Sequence, residues 1–233
     1  MPVVNKELQK QYAEVHTVDS YGRASSRFAL HIQACVCDLA AKSILDYGCG
    51  QSDLSQSLEL RGAAFYRYDP AIESISAVPV ASVDLISNTD VMEHIPRSDV
   101  EHVLRHMKAI SEHVFFNIAT RSASQLLPNG SNAHCTVLPA DEWLALICKV
   151  FPNSQLVADY PGHSCVIITW NSSVLPVLAG IERLRQAESQ RNEYQQPVIR
   201  RLRRTARRVV DRMANRQPSI PVIYPATTSK QTN

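Results

Sequence analysis

The chain has 233 residues, 45% of them hydrophobic and 20% charged, with a formal net charge of +2, which suits one globular domain of about 180–200 residues with an appendage. No apolar run approaches the ~20 residues that span a bilayer, and the charged segment Met1–Val15 does not resemble an export signal, so we expect a cytoplasmic protein. The six cysteines form no CxxC pair and lack metal-ligand spacing, which indicates reduced, structural thiols.

Short β-branched or aromatic runs alternate with longer helical patterns, which predicts a parallel sheet covered by helices. The runs at 43–47 and 83–88 each contain two consecutive aliphatic residues, as is typical of strands buried on both faces. The predicted strands are Ser43–Tyr47, Ala64–Asp69, Val83–Asn88, His113–Ile118, Gln155–Asp159 and Cys165–Trp170. The predicted helices are Ser25–Ala41, Ser52–Arg61, Arg97–Ser111 and Pro139–Val150.

The last two strands are joined by Tyr160–Ser164, a connection too short for a crossover helix. They are therefore predicted to pair as an antiparallel hairpin around Pro161 and Gly162. Only thirteen residues lie between Asp69 and Val83, so a further strand and helix there are absent or very short. The pattern predicts a doubly wound α/β domain with a mostly parallel sheet and a C-terminal antiparallel hairpin.

A glycine turn follows the first predicted strand in the sequence Asp46-Tyr47-Gly48-Cys49-Gly50. Glycines there let the backbone turn sharply and approach a ligand closely. A dinucleotide-binding loop would have its third glycine at position 53, but Asp53 would repel a diphosphate. S-adenosylmethionine (SAM) carries no phosphate, and Asp46 can attract its cationic methionine end. The turn therefore favours SAM over NAD.

An acidic residue ends the second predicted strand about twenty residues after the glycine turn. At this strand end an acid can accept hydrogen bonds from both hydroxyls of an adenosine ribose. Asp69 is thus a candidate ribose ligand. The alternative is that Asp69 and Pro70 simply terminate the strand.

The third predicted strand leads into polar residues at its carboxyl end, where open α/β sheets bind ligands. The motifs LDYGCG, YDP and VDLISNTDVMEHI resemble the class I SAM-dependent methyltransferase superfamily, in its small-molecule and glycan branch (type 11, 12 and 23 domains), over about residues 20–170. The resemblance implies a Rossmann-like fold and SAM as the cofactor. The cofactor contacts that it implies are Asp46, Gly48, Gly50, Asp69, Pro70, Thr89 and Asp90.

The segment that begins Tyr21-Gly22 is similar to the lid that folds over SAM in this superfamily. We therefore expect Tyr21 and Gly22 to contact the cofactor and residues 1–23 to form the lid. The alternative is an ordinary turn in which Ser25 or Ser26 caps the next helix.

About twenty residues without predicted structure lie between Ile118 and Leu138, a length typical of binding loops or lids. Arg121 in this loop is a candidate ligand for an anionic acceptor, or else a surface residue. For a hydroxyl acceptor the enzyme must remove a proton, and the candidate catalytic residues are His134, Asp90 and His94. We favour His134 as base or acceptor ligand, since His94 opens a helix in a structural position.

We predict no metal. A metal-dependent O-methyltransferase would need a cluster of carboxylate and amide ligands. Because Asp90, Glu93 and His94 lie within five residues of one another, that alternative stays open.

The basic residues concentrate near the C-terminus. Eight arginines lie in residues 198–216 against Asp211, a net charge of +7 that leaves −5 for the rest. The segment is predicted to form a basic amphipathic helix. This helix packs on the domain or on a partner, lies on an anionic membrane surface, or binds nucleic acid. Nucleic acid is disfavoured because the body is acidic and no aromatic residues interleave the arginines.

We predict three regions: a SAM-binding domain over 1–172, a basic helical extension over 173–216 and a disordered tail over 217–233. The expected activity is O-methylation of a small molecule or of a cell-surface, lipid-linked saccharide, with the enzyme peripheral at the inner face of the membrane. The alternatives are an RNA methyltransferase docked by the arginine-rich helix, a non-catalytic SAM-binding scaffold and an NAD-type oxidoreductase.

Overall fold

The computed structural model describes residues 6–15 and 25–191. Its strands are β1 (Ser43–Tyr47), β2 (Ala64–Tyr68), β3 (Leu85–Thr89), β4 (Val114–Ala119), β5 (Gln155–Tyr160) and β6 (Ser164–Ile168). Its helices are α1 (Lys6–Val15), α2 (Ala29–Leu39), α3 (Val100–Ile110), α4 (Ala140–Cys148) and α5 (residues 175–191). Short 3-10 turns span Ser25–Phe28, Leu54–Ser57, Glu73–Ile75 and Met92–His94.

The six strands form one sheet in the order β2-β1-β3-β4-β6-β5. The first four strands of this order are parallel, whereas β6 is antiparallel to both β4 and β5. From β1 the chain passes outward to β2 and then crosses to β3 on the other side of β1. Such a reversal opens a crevice at the carboxyl ends of the two flanking strands, which is where open α/β sheets bind ligands.

Alternate residues of the central strands face opposite sides of the sheet, and both sides are covered. Leu45 and Ile86 pack with Trp143 in the core under α3 and α4. Their neighbours Ile44 and Leu85 are also fully buried, and Leu85 belongs to the core under α2. This two-sided burial explains the adjacent apolar pairs Ile44-Leu45 and Leu85-Ile86, and it confirms the predicted Rossmann-like layering.

All six predicted strands are present within two residues of their expected ends, and the C-terminal hairpin turns at residues 161–163 as predicted. The short connection after Asp69 holds only the turn Glu73–Ile75, again as predicted. The prediction of a helix over Ser52–Arg61 is wrong, because the structure has one 3-10 turn there, Leu54–Ser57. The chain becomes extended at Leu58 (φ −110°, ψ 141°), and the next residue, Glu59, donates its N–H to Gln33 Oε1 at 2.8 Å, so a contact with α2 replaces the helix.

The start of α5 packs on the sheet face that α2 covers. Leu178 is fully buried in that core. Glu182 is also buried, with His31 Nε2 at 3.2 Å and Arg185 at 2.5 Å from its carboxylate oxygens. Burial by itself would raise the pKa of Glu182. The bonds from Arg185 and His31 outweigh that effect and lower the pKa to about 2.

The chain divides into two units, Met1–Gln186 and Ala187–Asn233. The first contains the whole sheet. Of the second, the structure describes residues 187–191, which are helical. The predicted basic helix over 198–216 and the tail over 217–233 lie outside the described residues, and the predicted boundary at 172 stays a prediction. In the described part of the chain no helix has the length and apolarity to cross a bilayer.

Candidate active site

The glycine turn is tied to the end of β2 by backbone and side-chain bonds. Gly48 and Gly50 have φ angles of +74° and +52°, which side-chain-bearing residues rarely adopt. Gly48 N and Cys49 N both donate to Tyr68 O, at 2.7 and 3.1 Å. The Asp69 carboxylate accepts hydrogen bonds from Gly50 N at 2.8 Å and Ala71 N at 2.9 Å. Asp69 therefore shapes the turn in addition to standing at the predicted ribose position, with Pro70 beside it.

The glycine turn also packs directly on the segment after β3. A Cβ built on Gly48 would lie 2.6 and 2.9 Å from the two methyl carbons of Val91. Only glycine fits this contact without movement. The predicted cofactor turn and the predicted acceptor side of the site therefore meet at Val91.

Asp46 is enclosed below the turn, with 1% of its surface exposed. Neither carboxylate oxygen accepts a hydrogen bond from the described residues. Burial raises the pKa of Asp46 to about 7, against the lowering influence of the nearby Ser52 hydroxyl and Arg67 guanidinium. A buried carboxylate that the described residues leave without a hydrogen bond is a suitable counter-charge for a ligand's ammonium group.

Polar residues gather where β3 ends. Asp90 has a φ of +54°, and its carboxylate accepts hydrogen bonds from Asn117 Nδ2 at 2.5 Å and Arg27 at 3.1 Å. The Thr89 hydroxyl is buried and donates to Ser25 Oγ at 2.7 Å. The end of β3 is thus braced by β4 on one side and by the start of the α2 segment on the other.

Glu93 lies in the 3-10 turn that follows and is completely buried. Its Oε1 accepts a hydrogen bond from Ala119 N at 3.1 Å, whereas Oε2 has no hydrogen-bond partner among the described residues. Burial, with the nearby Asp90 charge, raises the pKa of Glu93 well above its usual range. Burial raises the pKa of the neighbouring Asp90 as well, and the Arg27 guanidinium at 3.1 Å opposes that shift.

Two histidines adjoin Glu93, and their hydrogen bonds fix their tautomers. His94 Nδ1 lies 2.8 Å from Ala133 O, and His134 Nδ1 lies 2.6 Å from Arg121 O. A carbonyl oxygen only accepts, so each Nδ1 carries a hydrogen and Nε2 is the basic nitrogen of each neutral ring. The rings meet edge to face, with centroids 4.9 Å apart.

The loop over residues 120–139 brings His134 to this position. As expected, it contains no helix or strand beyond an isolated bridge between Leu126 and Asn132. It is held to the turn after β3 by Thr136 N, which donates to Glu93 O at 3.0 Å. Arg121 lies at the start of the loop, is exposed, and contributes its carbonyl to His134.

Helix α1 covers this loop and was not anticipated from the sequence. The Tyr12 hydroxyl donates to Ala133 O at 2.6 Å and lies 3.1 Å from His94 Nδ1. Val15 packs with Leu127 and Ala133. The apolar spacing of Leu8, Tyr12 and Val15, at four and three residues, is a helical signal that reveals this element.

The structure brings most of the predicted site residues to one edge of the sheet. This edge holds Asp46, Gly48, Gly50, Asp69, Pro70, Thr89, Asp90, His94, Arg121 and His134. Tyr21 and Gly22 lie outside the described residues. Sequence reasoning missed Tyr12, Arg27 and Asn117 as supports of the site. The single asparagine in the apolar run Val-Phe-Phe-Asn-Ile-Ala of β4 is a signal for Asn117.

A mostly parallel sheet of this order, a glycine turn held by a carboxylate at the end of β2, and a polar cluster at the end of β3 define a class I SAM-dependent methyltransferase. The family model described as "Methyltransferase domain" matches residues 19–149, more than half of the 233 residues. The chain therefore belongs to this methyltransferase domain family, and its cofactor is SAM.

Several solved structures are similar to this chain in fold. A 1,6-didemethyltoxoflavin-N1-methyltransferase from Burkholderia thailandensis is 14% identical over 71% of this chain and 87% of that chain, with a TM-score of 0.47. An O-methyltransferase family protein from the same organism is 10% identical over 72% and 68%, with a TM-score of 0.43. The N-methyltransferase NodS from Bradyrhizobium japonicum is 13% identical over 69% and 96%, with a TM-score of 0.41. No curated protein sequence matches the chain significantly.

Proposed function

We propose that this methyltransferase transfers the methyl group of SAM to a hydroxyl oxygen of a small molecule or glycan. The observation that carries the proposal is the contact between the glycine turn and Val91. Through it the cofactor turn lies next to the segment that bears Asp90, Glu93 and His94. A donor and a proton-accepting cluster are thus neighbours on one edge of the sheet.

On the cofactor side, the Asp69 carboxylate accepts hydrogen bonds from the two ribose hydroxyls of SAM and also holds the glycine turn. The Asp46 carboxylate neutralises the ammonium group of the methionine part of SAM. Gly48 and Gly50 give the ligand close access to the backbone, and Pro70 and Thr89 line the same crevice. The lone 3-10 turn after the glycines supports SAM over a dinucleotide. A pyrophosphate would need the N–H groups and dipole of a full helix there.

On the acceptor side, the oxygen attacks the methyl carbon in line with the carbon–sulfur bond. That bond breaks, its electron pair stays on sulfur as S-adenosylhomocysteine (SAH), and the hydroxyl proton passes to a base. His134 is the base we favour, because its Nε2 is the basic nitrogen and its ring is fixed by Arg121 O. His94 and Asp90 are the other candidate bases, and Arg121 is the residue that we assign to an anionic group of the acceptor.

Oxygen is favoured over nitrogen because of this cluster. A neutral amine attacks through its lone pair and loses a proton afterwards, so it needs little help from a base. A hydroxyl is a weak nucleophile until its proton is withdrawn. The cluster of Glu93, His94 and His134, together with Asp90 at the end of β3, suits the second case.

The test is a methyl-transfer assay with isotopically labelled SAM and a panel of acceptors that offer either hydroxyl or amine groups, including nucleotide-linked and lipid-linked sugars. We expect label in an ether linkage, and we expect His134→Gln to lower kcat by about 10²-fold or more, as is typical of a general base. The exposed His102→Gln on α3 is the matched control. Label found only on nitrogen would contradict the proposal.

The basic segment 198–216 supports a more specific acceptor. Its eight arginines suit an anionic membrane surface at the inner face of the cell envelope, with the rest of the enzyme in the cytoplasm. A peripheral enzyme of this kind would meet lipid-linked saccharides during polysaccharide biosynthesis.

A further inference from the structure

Three side chains from two segments converge beside Val91. Glu93 and His94 come from the turn after β3, and His134 comes from the loop over 120–139. One potential ligand atom of each lies within 4.8 Å of the other two. The convergence needs the loop to fold back onto the turn, which the bond from Thr136 N to Glu93 O secures at 3.0 Å.

Both histidines are oriented in the way that metal-bound histidines are. In metal sites the imidazole nitrogen that is not bound to metal usually donates its hydrogen to a carbonyl or carboxylate, which fixes the ring and its tautomer. Here Ala133 O receives the hydrogen from His94 Nδ1 and Arg121 O receives it from His134 Nδ1. Tyr12 donates to the same Ala133 carbonyl, so α1 adds an outer layer of support.

The Glu93 side chain gives an independent indication of a ligand. It is 0% exposed, and its Oε2 has no hydrogen-bond partner among the described residues. Buried polar atoms are nearly always paired, and an unpaired one calls for a water molecule or an ion. Since Ala119 N occupies Oε1, the second oxygen is the one that remains to bind a cation.

The separations suit closure onto one ion. Two donors at about 2.1 Å from a common metal lie at most about 4.2 Å apart. One ligand atom of each side chain already lies within 4.8 Å of the other two, so small shifts and ring rotations of the side chains bring the three groups into range of one ion. Such movement is small for side chains that lie in a 3-10 turn and a loop.

We propose that Glu93, His94 and His134 bind a divalent first-row transition-metal ion such as Zn²⁺ or Co²⁺. Two imidazole nitrogens and one carboxylate oxygen favour these ions over Mg²⁺ and Ca²⁺, which prefer oxygen ligands. Three protein ligands leave coordination positions open for an acceptor oxygen. This inference rests on the proposed function: the ion would lower the pKa of the acceptor hydroxyl, whose proton would pass to the Asp90 carboxylate, and His134 would hold the ion instead of accepting the proton itself.

The test is direct metal binding by the untagged, full-length protein after treatment with a chelator. Co²⁺ is titrated while its visible absorption is followed, and Zn²⁺ is then added to displace it. We expect one ion per chain. Because outer partners of metal ligands alone typically contribute about 10–100-fold to affinity, Glu93→Gln, His94→Gln and His134→Gln should each weaken binding by about 100-fold or more. His102→Gln, exposed on α3, should bind as the parent protein does.

Calorimetry with SAH on the same samples checks the fold and separates the two proposals. Metal binding without SAH binding would contradict the proposed function and leave the metal site intact. SAH binding without saturable Co²⁺ or Zn²⁺ binding, or with equal metal affinity in all variants, would overturn the metal site. Binding of Mg²⁺ alone would overturn it as well.

Discussion

Asp46 is enclosed at the end of β1, and burial raises the pKa of its carboxyl to about 7 from an ordinary value of 3.8. Between these two values the folded protein holds a proton that the unfolded chain has lost. The contribution of Asp46 to stability is therefore most favourable below about pH 4, and it is lost progressively as the pH rises through about 7. A cationic ligand reverses the effect, because it stabilises the ionised carboxylate.

We predict that Asp46→Asn stabilises the ligand-free protein and weakens cofactor binding. At pH 8 the free energy of unfolding should rise by on the order of 2–4 kcal/mol, and the gain should shrink toward pH 4. Denaturant unfolding at several pH values, with SAH calorimetry alongside, measures both effects. Asp84→Asn is the control of opposite sign, because bonds from Lys42 N and Ser43 lower the pKa of Asp84. A variant less stable than the parent at pH 8 would refute this account of Asp46.

Gly48 tests the contact between the two halves of the site. Gly48→Ala adds a methyl group 2.6 Å from Val91 and places alanine at a φ of +74°. Gly62→Ala has the same backbone problem at +89°, but it has open space around the added methyl group. The backbone cost is about 1–2 kcal/mol for each. Gly48→Ala should therefore be more destabilising than Gly62→Ala by a further ~1–3 kcal/mol, measured by denaturant unfolding.

Adding Val91→Ala to Gly48→Ala should recover part of that difference, because it removes the clashing methyl groups and leaves the φ strain. Only the Gly48 variants should also bind SAH more weakly. Equal destabilisation by the two glycine substitutions would show that the turn does not press on Val91.

At the scale of elements, α1 and the loop over 120–139 depend on each other. We predict that Tyr12→Phe, which removes the hydrogen bond to Ala133 O, speeds hydrogen exchange of the loop by about two- to tenfold, since such a bond contributes about 0.5–1.5 kcal/mol. Hydrogen-exchange mass spectrometry measures this change. Tyr66→Phe on the edge strand β2 serves as the control. Unchanged protection of the loop in Tyr12→Phe would contradict a covering role for α1.

The strands could be predicted closely because burial on both faces requires consecutive apolar residues, as in the Val-Phe-Phe of β4 and the pairs Ile44-Leu45 and Leu85-Ile86. The prediction of a helix after the glycine turn was wrong because the chain leaves the helical conformation at Leu58, where the distant Gln33 binds the backbone of Glu59, and local sequence does not reveal such a contact. The glycine turn, Asp46 and Asp69 were predictable because they are close in sequence or at a fixed distance from the turn. The meeting of His94 with His134 was not, because it depends on the path of a loop without regular structure.

At the scale of the whole molecule, charge is divided between two regions. Residues 198–216 carry a net +7, and the remaining chain carries −5. A basic residue near an anionic bilayer contributes about 1 kcal/mol, so eight arginines are sufficient for salt-sensitive attachment. The rest of the chain, which has a net negative charge, would not add to the attraction between residues 198–216 and an anionic bilayer.

We predict that the full-length protein co-sediments with vesicles that contain anionic lipid, that this binding falls as salt is raised, and that neutral vesicles do not retain it. A variant lacking residues 198–216 should stay in the supernatant and bind SAH unchanged. Equal co-sedimentation of the two proteins would refute the membrane role of the segment. Binding of single-stranded RNA in place of vesicles would favour the nucleic-acid alternative.

The most direct test of the whole account is calorimetric titration of the purified protein with SAM, with NADH as the control ligand. We predict one SAM site per chain with a Kd on the order of 1–100 µM, and no NADH binding. Asp69→Ala should weaken SAM binding by about 100-fold or more, because it removes two charge-assisted hydrogen bonds worth about 1.5–3 kcal/mol each. No measurable SAM binding, or NADH binding of equal strength, would contradict the account.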